Sequence, residues 1–167
     1  MKPDGNYQFR RAGSADLNLL LEWQSRPHVL EWWGTEPPFG ADGADDPRVA
    51  RWIVSIDGKP FAYMQDYTVH GWEGHYFAHL PTGSRGIDQY IADPDMTGKG
   101  HGPGFVRERL KVLFEEGAPV VATDPHPDNS RAISAYRKTG FSIFGAAQET
   151  KWGLILPMRM DRPAKSE

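Results

Sequence analysis

Asp88 ends an apolar stretch, Arg85-Gly86-Ile87-Asp88-Gln89, and is soon followed by the glycine-rich run Thr97-Gly98-Lys99-Gly100-His101-Gly102-Pro103-Gly104. Further on, Thr123-Asp124-Pro125-His126-Pro127-Asp128-Asn129 leads into Ser130-Arg131-Ala132-Ile133-Ser134-Ala135-Tyr136-Arg137-Lys138. A carboxylate at a strand end can accept a proton. Glycines that open a helix leave backbone amides bare for phosphate oxygens, at the end where the helix dipole is positive. A phenol on a second short helix can return a proton. In chain order these are a base, a diphosphate cradle and an acid.

The elements that must hold these residues follow from periodicity and turn chemistry. Leu17, Leu20 and Leu21 predict a helix over 14–24 with Ser14 as its N-cap, and Trp32-Trp33-Gly34 comes after a short connection. Residues 36–47 are too rich in Pro, Gly and Asp for regular structure. Two strands, 52–56 and 61–67, are joined around Asp57-Gly58, a hairpin signal. An aromatic loop over 72–81 leads to a strand over 86–92. A helix over 103–116 presents Val106, Leu110, Leu113 and Phe114 on one face, with Pro103 in its first turn and Gly117 as its stop. A strand at 120–123 and a helix at 130–138, capped by Asn129 or Asp128 and ended by Gly140, precede one or two closing strands within 141–160. Strands alternating with helices predict a mixed sheet, α/β or α+β, in a single domain over 1–167.

Composition narrows the function classes. A net charge of −3 and the lack of a basic stripe do not suit a nucleic-acid binder. No stretch has the length of a signal peptide's apolar region or of a membrane span, so the cytoplasm is the expected compartment. Without cysteine, disulfides, thiolate zinc sites and an acyl-cysteine intermediate are excluded, and direct acyl transfer is the simplest course. Acidic residues gather at Asp42, Asp45 and Asp46 and along Glu73, Asp88, Asp93 and Asp95; they are a solvated surface or a field that steers a cationic small molecule. His75 and His79 are too few ligands for a metal site.

The glycine run lacks the Gly-Lys-Ser/Thr ending of a Walker loop and opens no full βαβ unit, so the diphosphate of coenzyme A fits it better than a nucleotide's. Read alone, it is equally a flexible surface turn. The run, the amphipathic helix, the strand and Asn-x-Arg-Ala-Ile-x-x-Tyr-x-Lys-x-Gly-Phe together resemble the acyl-CoA-binding half of the GNAT N-acetyltransferase superfamily. More narrowly, Glu31-Trp32-Trp33-Gly34, the Arg85–Gln89 segment and the Thr123–Asn129 segment resemble the aminoglycoside 6'-N-acetyltransferases, with matching segments from about Ser14 to Phe141. That resemblance implies a mostly antiparallel twisted sheet flanked by helices. It also implies acetyl-CoA as co-substrate, a cationic amine as acceptor, no metal, and a monomer or homodimer.

Residue by residue, the resemblance assigns Asp88 as base and Tyr136 as acid. It assigns Gln89, Ile91, Thr97, Gly98, Gly100, Gly102, Pro103, Gly104 and Asn129 to the cofactor, and Asp88 and Asp124 to the acceptor; Lys99, Arg137 and Lys138 add charge suited to the phosphates, and Trp33, Tyr76 and Glu73 add flat faces and a rim anion suited to a polycationic sugar. Thr97 departs from the pattern, where Arg or Gln is usual. Each assignment has a plainer counterpart: Asp88 as a turn carboxylate, Tyr136 as packing on Phe141, Asn129 as a cap alone, Asp124 as an Asx-turn before Pro125, Trp33 as core, and the cations as solvated surface. Acyl transfer to a siderophore-precursor hydroxylamine or a polyamine, and a noncatalytic acyl-CoA-binding module, remain alternatives.

Overall fold

The computed structural model describes residues 6–39 and 43–164, so Asp42 lies outside the described residues. The element order is β1 (Tyr7–Arg11), α1 (Leu17–Ser25), α2 (Pro27–Trp33), β2 (Val49–Ile56), β3 (Lys59–Thr68), β4 (Arg85–Ile91), α3 (His101–Glu115), β5 (Val120–Thr123), α4 (Ser130–Thr139), β6 (Ser142–Ile143), β7 (Gln148–Thr150), β8 (Gly153–Ile155) and β9 (Met158–Asp161). Seven strands order as β1-β2-β3-β4-β5-β9-β6, while β7 and β8 form a separate hairpin. The β1/β2, β5/β9 and β6/β9 pairs are antiparallel and β4/β5 is parallel, the mixed, mainly antiparallel sheet expected from the sequence.

The chain divides into two compact units. One runs to Asp66 and takes up Gln89–Phe105; the other holds Tyr67–Asp88 and the chain from Val106 onward. In the first unit, Asp57 and Gly58 close the β2–β3 hairpin with φ of 49° and 80°, the paired positive angles of a two-residue turn that matches strand twist. Ala12, Leu20, Trp23, Val29, Ile53, Tyr63, Tyr90 and Ala92 bury together as its core.

Two sequence expectations change here. Ser14 is not the cap: Asp16 accepts from the Gly13 N–H at 2.9 Å and is fixed by Arg10, so a short 3₁₀ turn over Ser14–Asp16 precedes α1. The connection before Trp33 is helix α2, which opens with Pro27 in its first turn, where a missing N–H costs nothing. At the end of β4, Phe61 O accepts from both Ala92 N and Asp93 N, two residues opposing one as in a bulge. Arg26 donates to Ala92 O at 2.8 Å and His28 Nε2 to Ile91 O at 2.9 Å, fixing this strand end in front of the glycine run.

In the second unit, Val106, Leu110 and Leu113 bury one face of α3 along with Val120, Val121 and Ala122 of β5. Gly117, at φ 106°, stops α3. Asn129 Oδ1 accepts from Ala132 N at 3.2 Å to cap α4, and Gly140 at φ 126° ends it. After Phe141 four short strands replace the expected one or two. They are two to four residues long, too short for alternation to be legible.

Candidate active site

Parallel pairing of β4 with β5 sets Arg85 beside Val121 and Gly86 beside Ala122. Extending that register by two residues along both strands brings Asp88 beside Asp124, with both side chains on the face that carries Gly86. Thr123 Oγ1 donates to Ile87 O at 3.0 Å and holds the two strand ends together. The Tyr76 phenol donates to Asp124 Oδ2. Tyr76 also hydrogen-bonds Tyr67, whose buried ring lies over Gly86. The Asp124 carboxyl therefore does more than cap its own turn.

Burial, then the Asp88 charge and the hydrogen bond to Asp88, hold Asp124 well above the usual carboxylate range. Burial, then the charges of Asp124 and Asp88, raise both phenols, so Tyr67 and Tyr76 stay protonated donors. An aromatic shell surrounds Tyr76: His75 stacks on it at 4.3 Å, and Trp152, at the exposed turn of β7–β8, stands 5.8 Å from it and 5.3 Å from His75. His75 Nδ1 accepts from Phe77 N at 3.0 Å. Burial, then the Lys151 and His70 charges, push the imidazole down to about 4, so it is neutral.

Of the residues expected to meet the acceptor, the structure brings together Asp88, Asp124 and Tyr76. Glu73 is exposed on the loop between β3 and β4. Trp33 packs on the first unit's aromatics, 4.9 Å from Tyr90 and 5.9 Å from Tyr63. Asp46 is buried against Arg48 at 2.8 Å and Asp93 faces Lys59 at 3.6 Å, so part of the acidic surface is paired within the protein. Sequence reasoning missed Tyr67, His75 and Trp152. None of the three left a signal in residue spacing, because their contacts are made across the fold.

The glycine run belongs to the first unit and turns into α3 at His101, two residues earlier than periodicity suggested. Gly98 and Gly100 adopt φ of 72° and 86°, which L side chains rarely do. The helical ladder starts with Gly104 N–H to Gly100 O at 3.1 Å, so the amides before it lack a helical partner. Thr97 Oγ1 donates to Pro94 O at 2.8 Å, so its hydroxyl proton is committed to the backbone. Gly104 is required by the protein itself, because a Cβ there would come within 2.6 Å of the Tyr7 hydroxyl, which hydrogen-bonds His101 Nδ1 at 2.9 Å. Gly102 is different. A Cβ would meet only Ile91 Cδ1 at 3.9 Å, ordinary contact, so internal packing does not demand a bare backbone there. Amides exposed at a helix N-terminus, with a glycine the fold does not need, fit a diphosphate.

On α4, Tyr136 is buried with its ring edge-on to Phe141 at 5.4 Å. Arg137 and Lys138 are exposed in the last turn, favourable against the helix dipole, and the Lys138 carbonyl accepts from Arg107 at 2.6 Å. Among the described residues no group of three or more His, Cys, Asp or Glu could hold a metal ion, and no helix is long and apolar enough to cross a membrane.

The family model for the acetyltransferase (GNAT) domain matches residues 13–148. The aminoglycoside N(6')-acetyltransferase type 1 of Klebsiella pneumoniae is 37% identical over 142 residues, covering 78% of this chain and 71% of that protein. The crystal structure of aminoglycoside acetyltransferase AAC(6')-Ib with coenzyme A superposes with a TM-score of 0.82 at 34% identity, covering 94% of this chain and 95% of the other. A structure of the same enzyme with coenzyme A and kanamycin gives 0.81 at 31% identity, with the same coverage.

Proposed function

Because the chain belongs to the GNAT acetyltransferase family, we propose that it transfers the acetyl group of acetyl-CoA directly to the 6'-amine of an aminoglycoside. The observation that carries this reading is the pair of neighbouring carboxyls, Asp88 in the middle of β4 and Asp124 just past β5, the latter held by Tyr76: an anionic receptor for an ammonium ion. The aromatic shell of His75, Tyr76 and Trp152 supplies flat apolar faces for a sugar ring. The reading treats both compact units as one catalytic domain, as the match over residues 13–148 spans parts of each. Its compartment is the cytoplasm, where acetyl-CoA is available.

Bound acetyl-CoA supplies a thioester whose carbonyl carbon takes the amine and whose sulfur leaves as thiolate. Gly98, Lys99, Gly100 and Gly102 present the bare amides of the run to its diphosphate, while Gly104 lets α3 pass close to Tyr7 and Pro103 preforms its first turn. Thr97, Gln89 and Ile91 flank that run, and Lys99, Arg137 and Lys138 add positive charge. Asn129 keeps its amide NH₂ free for the pantetheine arm while its oxygen caps α4. An alkyl ammonium has a pKa near ~10 and must lose a proton before attack, and Asp88 takes it. Tyr136 protonates the leaving thiolate. Glu73 and Trp33 complete the acceptor assignments, Glu73 as rim charge.

Gly102→Ala separates ligand from fold. It should leave thermal stability unchanged or slightly raised, since Ala favours helix by up to ~1 kcal/mol, while raising the KM for acetyl-CoA severalfold; an unchanged KM removes Gly102 from the cradle. Tyr136→Phe should lower kcat roughly tenfold, less than the usual acid–base loss, because a thiolate of pKa ~8.5 is already a fair leaving group. Normal kcat across pH would reduce the hydroxyl to packing. The direct test is the product formed from kanamycin and acetyl-CoA. NMR should place one acetyl group on the 6'-nitrogen, and acetylation at another nitrogen contradicts the regiochemistry.

A further inference from the structure

Two neighbouring carboxyls can hydrogen-bond each other only when one of them carries a proton, since a carboxylate has no donor. The β4–β5 register sets Asp88 beside Asp124, so their closeness is a property of the backbone rather than of flexible side chains. Of the groups facing the pair, Tyr76 donates to Asp124 and Tyr67 backs Tyr76, both as neutral phenols. His75 stacks on Tyr76 and is neutral, and the charges of Lys151 and His70 act on His75. Like charges this close do not both ionise near neutral pH, and the pair titrates as a unit.

We propose that Asp88 and Asp124 share a single proton in the free enzyme, and that an incoming ammonium ion displaces it, so that binding a protonated acceptor releases one proton to solvent. This rests on the acetyltransferase reading of the site and deepens it. The doubly ionised pair then holds the ammonium by charge. One N–H proton passes to Asp88, which restores the one-proton pair and frees the nitrogen lone pair to attack. As the C–N bond forms and the C–S bond breaks, a second nitrogen proton is lost to balance the one delivered to the thiolate. The protons then balance: the ammonium's three become one on the amide, one on the thiol and one kept by the pair, whose original proton left on binding. No proton has to leave the carboxyl pair after the chemistry.

The free enzyme provides the first test. At pH 7 its infrared spectrum should contain the carbonyl band of a protonated carboxylic acid. The band should disappear in Asp124→Asn, and equally in Asp124→Ala, because Asp88 is then left with no carboxylate to share a proton with. Circular dichroism checks that each variant is folded, and one folded variant suffices. Absence of the band from the wild type, or its persistence in a folded Asp124 variant, overturns the proposal. The second test is titration calorimetry with kanamycin at pH 6, in buffers of different ionisation enthalpy. About one proton should be released per site in the wild type and none in Asp124→Asn, by linkage. Binding without proton release overturns the displacement. Failure of kanamycin to bind while the band is present overturns the acceptor reading instead, and the displacement is then decided with spermidine in its place.

Discussion

Asp88→Asn lowers kcat at least ~10²-fold, the scale of a lost general base and equivalent to about 2.7 kcal/mol of transition-state stabilisation. The amide keeps the carboxylate's size and its place in the middle of β4, so the change is chemical. It cannot accept a proton from the ammonium ion. The KM for acetyl-CoA should not move, because the amides of Gly98–Gly104 belong to a different stretch of chain. Steady-state kinetics with both substrates varied will separate the outcomes: a kcat within threefold of wild type removes Asp88 from proton transfer, while a matched rise in both KM values assigns it a structural role.

Gly86→Ala should cost about 3 kcal/mol, the upper part of the range for overpacking a core, and lower the melting temperature by roughly 10 °C. A Cβ at Gly86 would lie 2.2 Å from Cζ, 2.5 Å from the hydroxyl oxygen and 2.6 Å from Cε2 of Tyr67, all far inside contact distance. The ring has little room to yield, being 6% exposed and packed against Trp72 at 5.7 Å and His75 at 5.6 Å. Moving it withdraws the partner of Tyr76 and so disturbs Asp124, and activity should fall along with stability. Calorimetric melting and kcat/KM check both. A variant as stable and active as wild type would mean that Tyr67 does not support the carboxyl pair.

How much of this was visible in the sequence differs by residue, for physical reasons. The glycine run was legible because glycine density is a local feature; Asp88 was read as a strand-end carboxylate, but β4 continues to Ile91 and places it mid-strand. Asn129 and Gly140 announced both ends of α4 through capping chemistry, and Asp57-Gly58 announced the hairpin. Ser14 misled because capping preference is local, whereas Arg10 had already fixed Asp16 in the competing position. Helix α2 was missed because only Val29 in it is fully buried, leaving no repeating apolar pattern to read. The partnership of Asp88 with Asp124 depends on the register between β4 and β5, which residue spacing cannot reveal. The same holds for Tyr67, which meets Gly86 across the sheet, and for Trp152, whose place beside Tyr76 is set by a three-residue strand pair with no sequence signature.

The most direct measurement is thiol release from acetyl-CoA by the purified protein with kanamycin, tobramycin, a 6'-hydroxyl aminoglycoside, spermidine and a hydroxylated lysine. Release with the two 6'-amino drugs and none with the 6'-hydroxyl analogue is the predicted result, because only an amine reaches the Asp88–Asp124 pair as an ammonium ion. Release confined to spermidine or the hydroxylated lysine, or no release from protein shown to bind acetyl-CoA, would contradict it.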